Sequence, residues 1–213
     1  MVRLSALADL DFLQIGLLLA VLIASLSFHE AAHAWAADRL GDPTARLLGR
    51  LSLNPLVHID LVGTVLFPLI AIATGVPLIG WAKPVPVDVR NLRSPRRDFA
   101  LVAAAGPASN LVLAAGGALA FAAIRGGSDD FGQLEYTVAF FVMMNVLLAV
   151  FNLIPVPPLD GGNILLGVLP ASMVGVVERI RPYGILVLYG LMFSGVLSRV
   201  TYPIQVGILR WLL

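Results

Sequence analysis

Two histidines with a glutamate directly after the first stand at the end of an apolar run, as His29-Glu30-Ala31-Ala32-His33. On an α-helix His29 and His33 lie one turn apart on one face, so both imidazoles reach one metal ion, with Glu30 beside them. The arrangement fits metal-assisted peptide hydrolysis, in which the ion polarises a carbonyl and the glutamate is general base on the metal-bound water. The chain has three histidines and three glutamates, and these five positions hold two and one of them. Ionisable side chains inside membrane segments are costly and normally have a functional partner, which disfavours chance.

A catalytic zinc site usually needs a third protein ligand and a position left for water. With no cysteine in the chain, that ligand is His, Asp or Glu. The candidates are Asp160, His58, Asp60 and the remaining acids. Asp160 is the best of them: it follows an apolar segment and the rigid run Pro155-Val-Pro157-Pro158, and Gly161-Gly162 leaves room beside it. The alternative for Asp160 is a helix N-cap for a piece starting near Asn163. His58 and Asp60, after the Asn54-Pro55 break, also read as outer-shell or interfacial residues.

The elements that must carry these residues are apolar. Of 213 residues 59% are hydrophobic and 13% charged, about half the charged share of an ordinary soluble domain. Several runs approach or exceed the roughly 17 to 20 residues that span hydrocarbon. The reading is an all-α polytopic membrane protein, one domain over 1–213. The net charge of +1 suggests no nucleic-acid partner. The start, with Arg3, Asp9 and Asp11 before the first run, reads as a retained membrane helix, not a cleaved signal. Segment 1 is expected from about Phe12 to Ala37, segment 2 from Leu56 to Gly80, segment 3 from Phe99 to Ile124, segment 4 from Leu134 to Ile154. A short apolar piece, Ile164 to Val177, precedes segment 5, from Tyr183 to Leu197 or on to Ile204. Gly63, Pro68, Gly75 and Pro77 interrupt segment 2, as in broken or re-entrant helices or in a kinked spanning helix. Pro84 and Pro86 favour extended backbone in Trp81–Arg90. Arg210-Trp211 suits an interfacial anchor.

The chain resembles the site-2 protease family of intramembrane zinc metalloproteases (peptidase family M50), in its compact bacterial branch without PDZ or CBS domain. The resemblance rests on His29-Glu30-Ala31-Ala32-His33 and on Asn152-Leu-Ile-Pro155-Val-Pro157-Pro-Leu159-Asp160-Gly161, with Gly106-Pro107-Ala-Ser-Asn110 between them. Asn54-Pro-Leu-Val-His58-Ile-Asp60 and Gly80-Trp-Ala-Lys-Pro-Val-Pro86 are similar to the same branch. It implies one zinc held by His29, His33 and Asp160, Glu30 as general base, and a metalloendopeptidase that cuts within or near transmembrane segments. It also implies a core of about five to six membrane segments, with transmembrane proteins or remnant signal peptides as substrates, in the bacterial cytoplasmic membrane. A homo-oligomer or an adaptor protein is a further expected partner.

One metal touching both ends of the chain is also a depth constraint. Segments 1 and 4 must approach the same membrane side, so with segment 3 antiparallel to segment 4, segment 2 connects two points on one side and must re-enter, lie shallow or form a tight pair of short passes. Arg39, Arg46 and Arg50 after segment 1, and Lys83, Arg90, Arg93, Arg96 and Arg97 before segment 3, put that side in the cytoplasm by the positive-inside tendency. The turn after segment 3 carries Asp129, Asp130 and Glu135 instead. Arg93, Arg96 and Arg97 read as topology determinants or headgroup contacts.

Asn152 and Asn110 are candidates to steer substrate or orient a water, with interhelical hydrogen bonding as the alternative. Trp81–Val87, including Trp81 and Lys83, is a candidate edge for pairing with an unwound substrate by strand addition, or a rigid interfacial loop. The alternative function is a catalytically inactive metal-binding membrane protein that holds or regulates transmembrane clients. A transporter would more naturally show inverted repeats and further intramembrane acids.

Overall fold

The computed structural model describes residues 12–75, 80–126 and 132–213. Arg3, Asp9, Asp11, Pro77, Asp129 and Asp130 lie outside the described residues. Among the described residues three helices are long and apolar enough to cross a membrane: α1 (Phe12–Leu40), α4 (Pro95–Arg125) and α5 (Gly132–Asn152). Between them lie α2 (Thr44–Leu47) and α3 (Phe67–Thr74), and after them α6 (Asp160–Val168), α7 (Ala171–Ile180), α8 (Gly184–Phe193) and α9 (Val196–Leu212). Among the described residues there is no β-strand.

Helix α4 is the centre of the bundle, packed against α1, α5 and α6. Its small residues permit this, because Ala and Gly let membrane helices approach closely. Ala114 and Ala118 meet Val142, Val146 and Val150 of α5, and Ile208, Leu209 and Leu212 of α9 pack on this cluster. A second cluster joins Ala36 and Ala37 of α1 to Val102 of α4, with Val87 against it. Pro107 sits inside α4 without ending it, as membrane helices tolerate when neighbours satisfy the freed groups. Pro95 opens α4 at a position where its missing N–H costs nothing. The Asp98 carboxylate reaches back to accept from Ser94 N–H at 2.7 Å.

The described parts of segment 2 and the residues after it lie side by side. Its helical part is six residues of wide π-type turns, Leu61–Leu66, followed by the eight of α3. Together these span about 21 Å, short of the roughly 30 Å hydrocarbon core. The chain then comes back beside its own start: Trp81 N–H donates to Gly63 O at 3.2 Å and Lys83 N–H to His58 O at 2.8 Å. The two ends lie side by side, as one metal depth requires.

Residues 80–88 then run without helix as a strap back toward α1. Arg50, buried, donates from its guanidinium to Lys83 O at 2.6 Å and Pro84 O at 3.3 Å. At the far end Asp42, fully buried just past α1, accepts from Asp88 N–H at 2.7 Å, Asn91 Nδ2 at 2.9 Å and Thr44 N–H at 3.1 Å, and from the Thr44 hydroxyl. Burial pushes the Asp42 carboxyl up, but these hydrogen bonds outweigh it and hold the carboxyl below its ordinary value. Two of the arginines expected to mark topology are also structural. Arg50 clamps the strap, and Arg96 Nε donates to Leu166 O at 2.7 Å, tying α4 to α6.

Segment 5 differs from the expectation of one short span. The helix breaks at Ser194-Gly195, where Gly195 has φ +73°, a conformation glycine adopts without steric cost. The α7–α8 stretch and α9 are bent by 77° across this break. The expected five to six membrane segments thus resolve into three long helices, one bent pair and the short Leu61–Ala71 helix, among the described residues.

Two measurements check this architecture. Cysteines placed singly at Arg46 and Arg93 in the cysteine-free chain should label from the same membrane face, and opposite faces would overturn the returning segment. Asp42→Asn puts an amide NH₂ against a donor on one side or the other and should destabilise the protein on the order of 2 kcal/mol at pH 7. Because the folded pKa is depressed, the carboxylate's contribution is present above about pH 4 and lost as pH falls below it. The gap in thermal melting between Asp42→Asn and wild type should therefore narrow toward pH 3.

Candidate metal centre

His29 and His33 project from α1 seven or more residues before its end, and Asp160 opens α6 just beyond α5. His29 Nε2 lies 3.0 Å from His33 Nε2. Asp160 Oδ2 lies 3.1 Å from His29 Nε2 and 3.4 Å from His33 Nε2. The ligand atoms of the three residues all lie within 4.8 Å of one another, the only such group among the described residues. His58 and Asp60 are not part of it.

Three local features make this convergence. Gly106 of α4 faces the imidazoles, and a Cβ there would stand 2.4 Å from His33 Nε2 and 2.6 Å from His29 Cε1. Gly161 and Gly162 let the start of α6 lie against the preceding turn, where added Cβ atoms would be 2.3 Å from Leu153 O and 2.5 Å from Pro157 N. Leu159, not Asp160, is the residue at the N-cap position of α6, and no side chain caps that helix. The N-cap alternative for Asp160 therefore does not hold.

The hydrogen atoms can be placed at His33. Its Nδ1 is 2.7 Å from Val102 O, and a carbonyl only accepts, so Nδ1 carries a proton and the neutral imidazole keeps its lone pair on Nε2. His29 Nδ1 is 2.6 Å from Asn110 Oδ1. Asp160 Oδ2 is buried without a hydrogen-bond partner. Imidazole nitrogens and a carboxylate oxygen turned on one point, with the far sides of both imidazoles bonded to protein, are a donor set and outer shell that zinc takes. The residues present fit one zinc.

The group opens on a cavity of about 480 Å³, lined by Glu30, Trp81, Val85, Asn152 and Leu188 as well as the three candidate ligands. Glu30 Oε2 accepts from Val85 N–H at 3.0 Å, so the strap lies directly against this carboxylate.

The other sequence candidates fall in distinct places. Asn110 is fully buried, with Oδ1 2.6 Å from His29 Nδ1, and does not line the cavity. Asn152 lines the cavity while its Nδ2 donates to Leu148 O of its own helix at 3.0 Å. Trp81 lines the cavity and packs edge-on to Phe67 at 5.1 Å. Lys83 has an exposed side chain and contributes main-chain anchors to Arg50 and His58. His58, considered as a ligand, is instead buried away from the group, with Nε2 2.7 Å from Ser52 O. Asp60 caps the π-type turns by accepting from Val62 and Gly63 N–H.

The sequence reading missed Val85, Ser25, Asn145 and the clamp role of Arg50. Asn145 had a visible signal, an amide in the middle of an apolar segment. Val85 had none, because it acts through its main chain.

Comparison with known proteins agrees with the geometry. The family model described as Peptidase family M50 matches residues 115–194, from the second half of α4 to the end of α8. The chain is similar to the Bacillus subtilis protein named "Putative zinc metalloprotease YwhC", at 36% identity over 197 residues, covering 87% of this chain and 84% of that protein. It is also similar to a Mycolicibacterium smegmatis protein of the same description, Rip2, at 31% identity over 185 residues, covering 86% of this chain and 69% of the relative. Rip2 of Mycobacterium tuberculosis is 36% identical over 141 residues, 65% of this chain and 52% of that protein. No solved structure matches significantly. With a relative this similar over most of both lengths, the chain belongs to peptidase family M50, the site-2 protease family.

Proposed function

We propose that this integral membrane protein is a zinc-dependent endopeptidase that hydrolyses peptide bonds within or beside transmembrane segments. The observation that carries the reading is the convergence of His29, His33 and Asp160 on one point, beside Glu30, within a bundle of membrane-length helices. When bound there, zinc supplies a Lewis acid for the scissile carbonyl and a water of lowered pKa. His29 and His33 each offer Nε2, and Asp160 offers the carboxylate that lowers the net charge of the site. Glu30 takes the proton of the attacking water and passes it to the departing amine as the C–N bond breaks. The new C–O bond leaves a carboxylate on one fragment.

A transmembrane helix hides its peptide bonds in its own hydrogen bonds, so local unwinding precedes cutting. The strap offers the exposed strand a partner. Residues 81 and 83 already donate their N–H groups to Gly63 and His58, and Pro84 and Pro86 have none. Val85 N–H, which lies on Glu30 at 3.0 Å, is a main-chain donor at the cavity. A substrate carbonyl that takes it frees Glu30 as it docks. The pairing role expected of Trp81 and Lys83 thus passes to Val85, while Trp81 shapes the cavity wall. Asn152, also on that wall, is placed to meet the substrate backbone. Transmembrane proteins or remnant signal peptides are the substrate class. The positive residues flanking α1 and α4 favour a site toward the cytoplasmic side of a bacterial cytoplasmic membrane.

In reconstituted protein with a membrane-embedded substrate, Glu30→Gln should retain zinc while cleavage falls by at least about 100-fold. Full-rate cleavage would remove Glu30 as base. Zinc retained by a wild type that cuts no such substrate would favour the client-holding alternative. Asp160→Ala should weaken zinc binding by more than the roughly 10- to 100-fold that loss of an outer partner costs. Unchanged affinity would take Asp160 out of the ligand set.

A further inference from the structure

A buried polar chain runs from His29 away from the cavity, through groups that the proposed hydrolysis does not use. Asn110 Oδ1 is 2.6 Å from His29 Nδ1, and Asn110 Nδ2 donates to Asn145 Oδ1 at 2.9 Å and, more weakly, to Ser25 O at 3.4 Å. Asn145 Nδ2 donates to Phe141 O at 2.9 Å and to Ser25 Oγ at 3.0 Å. Ser25, Asn110 and Asn145 are all 0% exposed, on three different helices.

The chain has only one self-consistent direction. Phe141 O is a main-chain carbonyl and only accepts, so Asn145 must turn its NH₂ toward it. That leaves Asn145 Oδ1, an acceptor, facing Asn110. Asn110 must then present its NH₂ to Asn145 and its Oδ1 to His29. An oxygen at that position requires a proton on His29 Nδ1, which in the neutral imidazole leaves the Nε2 lone pair facing His33 and Asp160. A flipped Asn110 would donate to Nδ1 and force the proton onto Nε2, where a metal has to bind.

We infer that Asn145 is a positioning residue for the metal centre, transmitting the fixed polarity of the Phe141 carbonyl through Asn110 to set the tautomer of His29. The inference rests on the proposed reading of His29 as a zinc ligand. Ser25 braces the relay from α1 by accepting from both amides.

The role separates from packing. Asn145→Leu keeps the branched shape with larger methyl ends and removes no main-chain donor, so in a variant that folds a purely packing role predicts unchanged metal affinity. Asn145→Asp keeps an acceptor facing Asn110 but sets a carboxylate against Phe141 O, so it should cost more stability and less relay polarity. Zinc affinity of the full-length protein in detergent, measured by chelator competition, should fall about 10- to 100-fold in Asn145→Leu. It should stay within about threefold of wild type in Asn145→Asp, even if that variant melts at the lower temperature. Wild-type affinity in a folded Asn145→Leu overturns the inference. So does a tenfold or greater loss in Asn145→Asp, which tests the relay even if Asn145→Leu does not fold. His29→Ala serves as the control. If it leaves zinc affinity unchanged, the ligand reading itself fails. If it weakens zinc while Asn145→Leu does not, only the relay fails.

Discussion

Two imidazole nitrogens 3.0 Å apart, with a carboxylate oxygen 3.1 and 3.4 Å from them, set the terms for the rest of the molecule. Lone pairs turned on one point repel unless a cation stands among them, and in an apolar bundle little solvent screens that repulsion. The arrangement is tenable only if each ligand is held from behind. His33 is held by Val102 O of α4, His29 by Asn110 of α4, and Asp160 by the tight start of α6. Helix α4 supports both histidines, and Gly106 on the same helix gives their rings room. A packed centre made of Ala and Gly is thus a requirement of the site as well as of close helix packing.

The same convergence explains why the chain between α1 and α4 looks as it does. The C-terminal end of α1 and the segment after α5 share one level, and α4 starts there because α5 runs back antiparallel to it. The residues between must then leave and return without crossing. The returning arm becomes the strap, and the strap touches Glu30. A buried Arg50 without an acidic partner among the described residues is costly, and its bonds to Lys83 O and Pro84 O offset that cost while fixing the strap's register. Asp42 does the same at the other end through four donors. The proposed base is therefore held at a defined distance from a main-chain donor by two buried charges more than thirty residues away from that donor in sequence.

The sequence made the site legible because its residues are scarce. Three histidines and three glutamates in an apolar chain leave few ways to assemble a metal centre, and the proline run with Gly161-Gly162 singled out Asp160. Depth then made the returning course of segment 2 legible before any coordinates. What stayed hidden depends on direction rather than composition. Val85 contributes an N–H that every non-proline residue has. Arg50 and Arg96 look like topology charges until their carbonyl partners are seen. Segment 5 read as one span because hydropathy does not register the backbone angle at Gly195 that breaks it. His58 and Asp60 drew attention as metal-binding types, yet both serve turns that bring the chain back.

Neutral amides are better suited than charges to the space behind His29. A buried carboxylate behind the imidazole would also fix its tautomer, but it would add a second anion near Asp160 and carry a desolvation cost of several kcal/mol. Asn110 and Asn145 deliver direction without net charge, since each amide has one accepting and one donating end. Their cost is that an amide can flip, so direction has to be imposed from outside the pair. In this fold the imposing group is a main-chain carbonyl of α5, whose polarity no side-chain rotation can reverse. The candidate metal centre then draws on side chains of α1 and the start of α6 on its open side and on the backbone of a helix on its closed side, and α4 carries the connection between them.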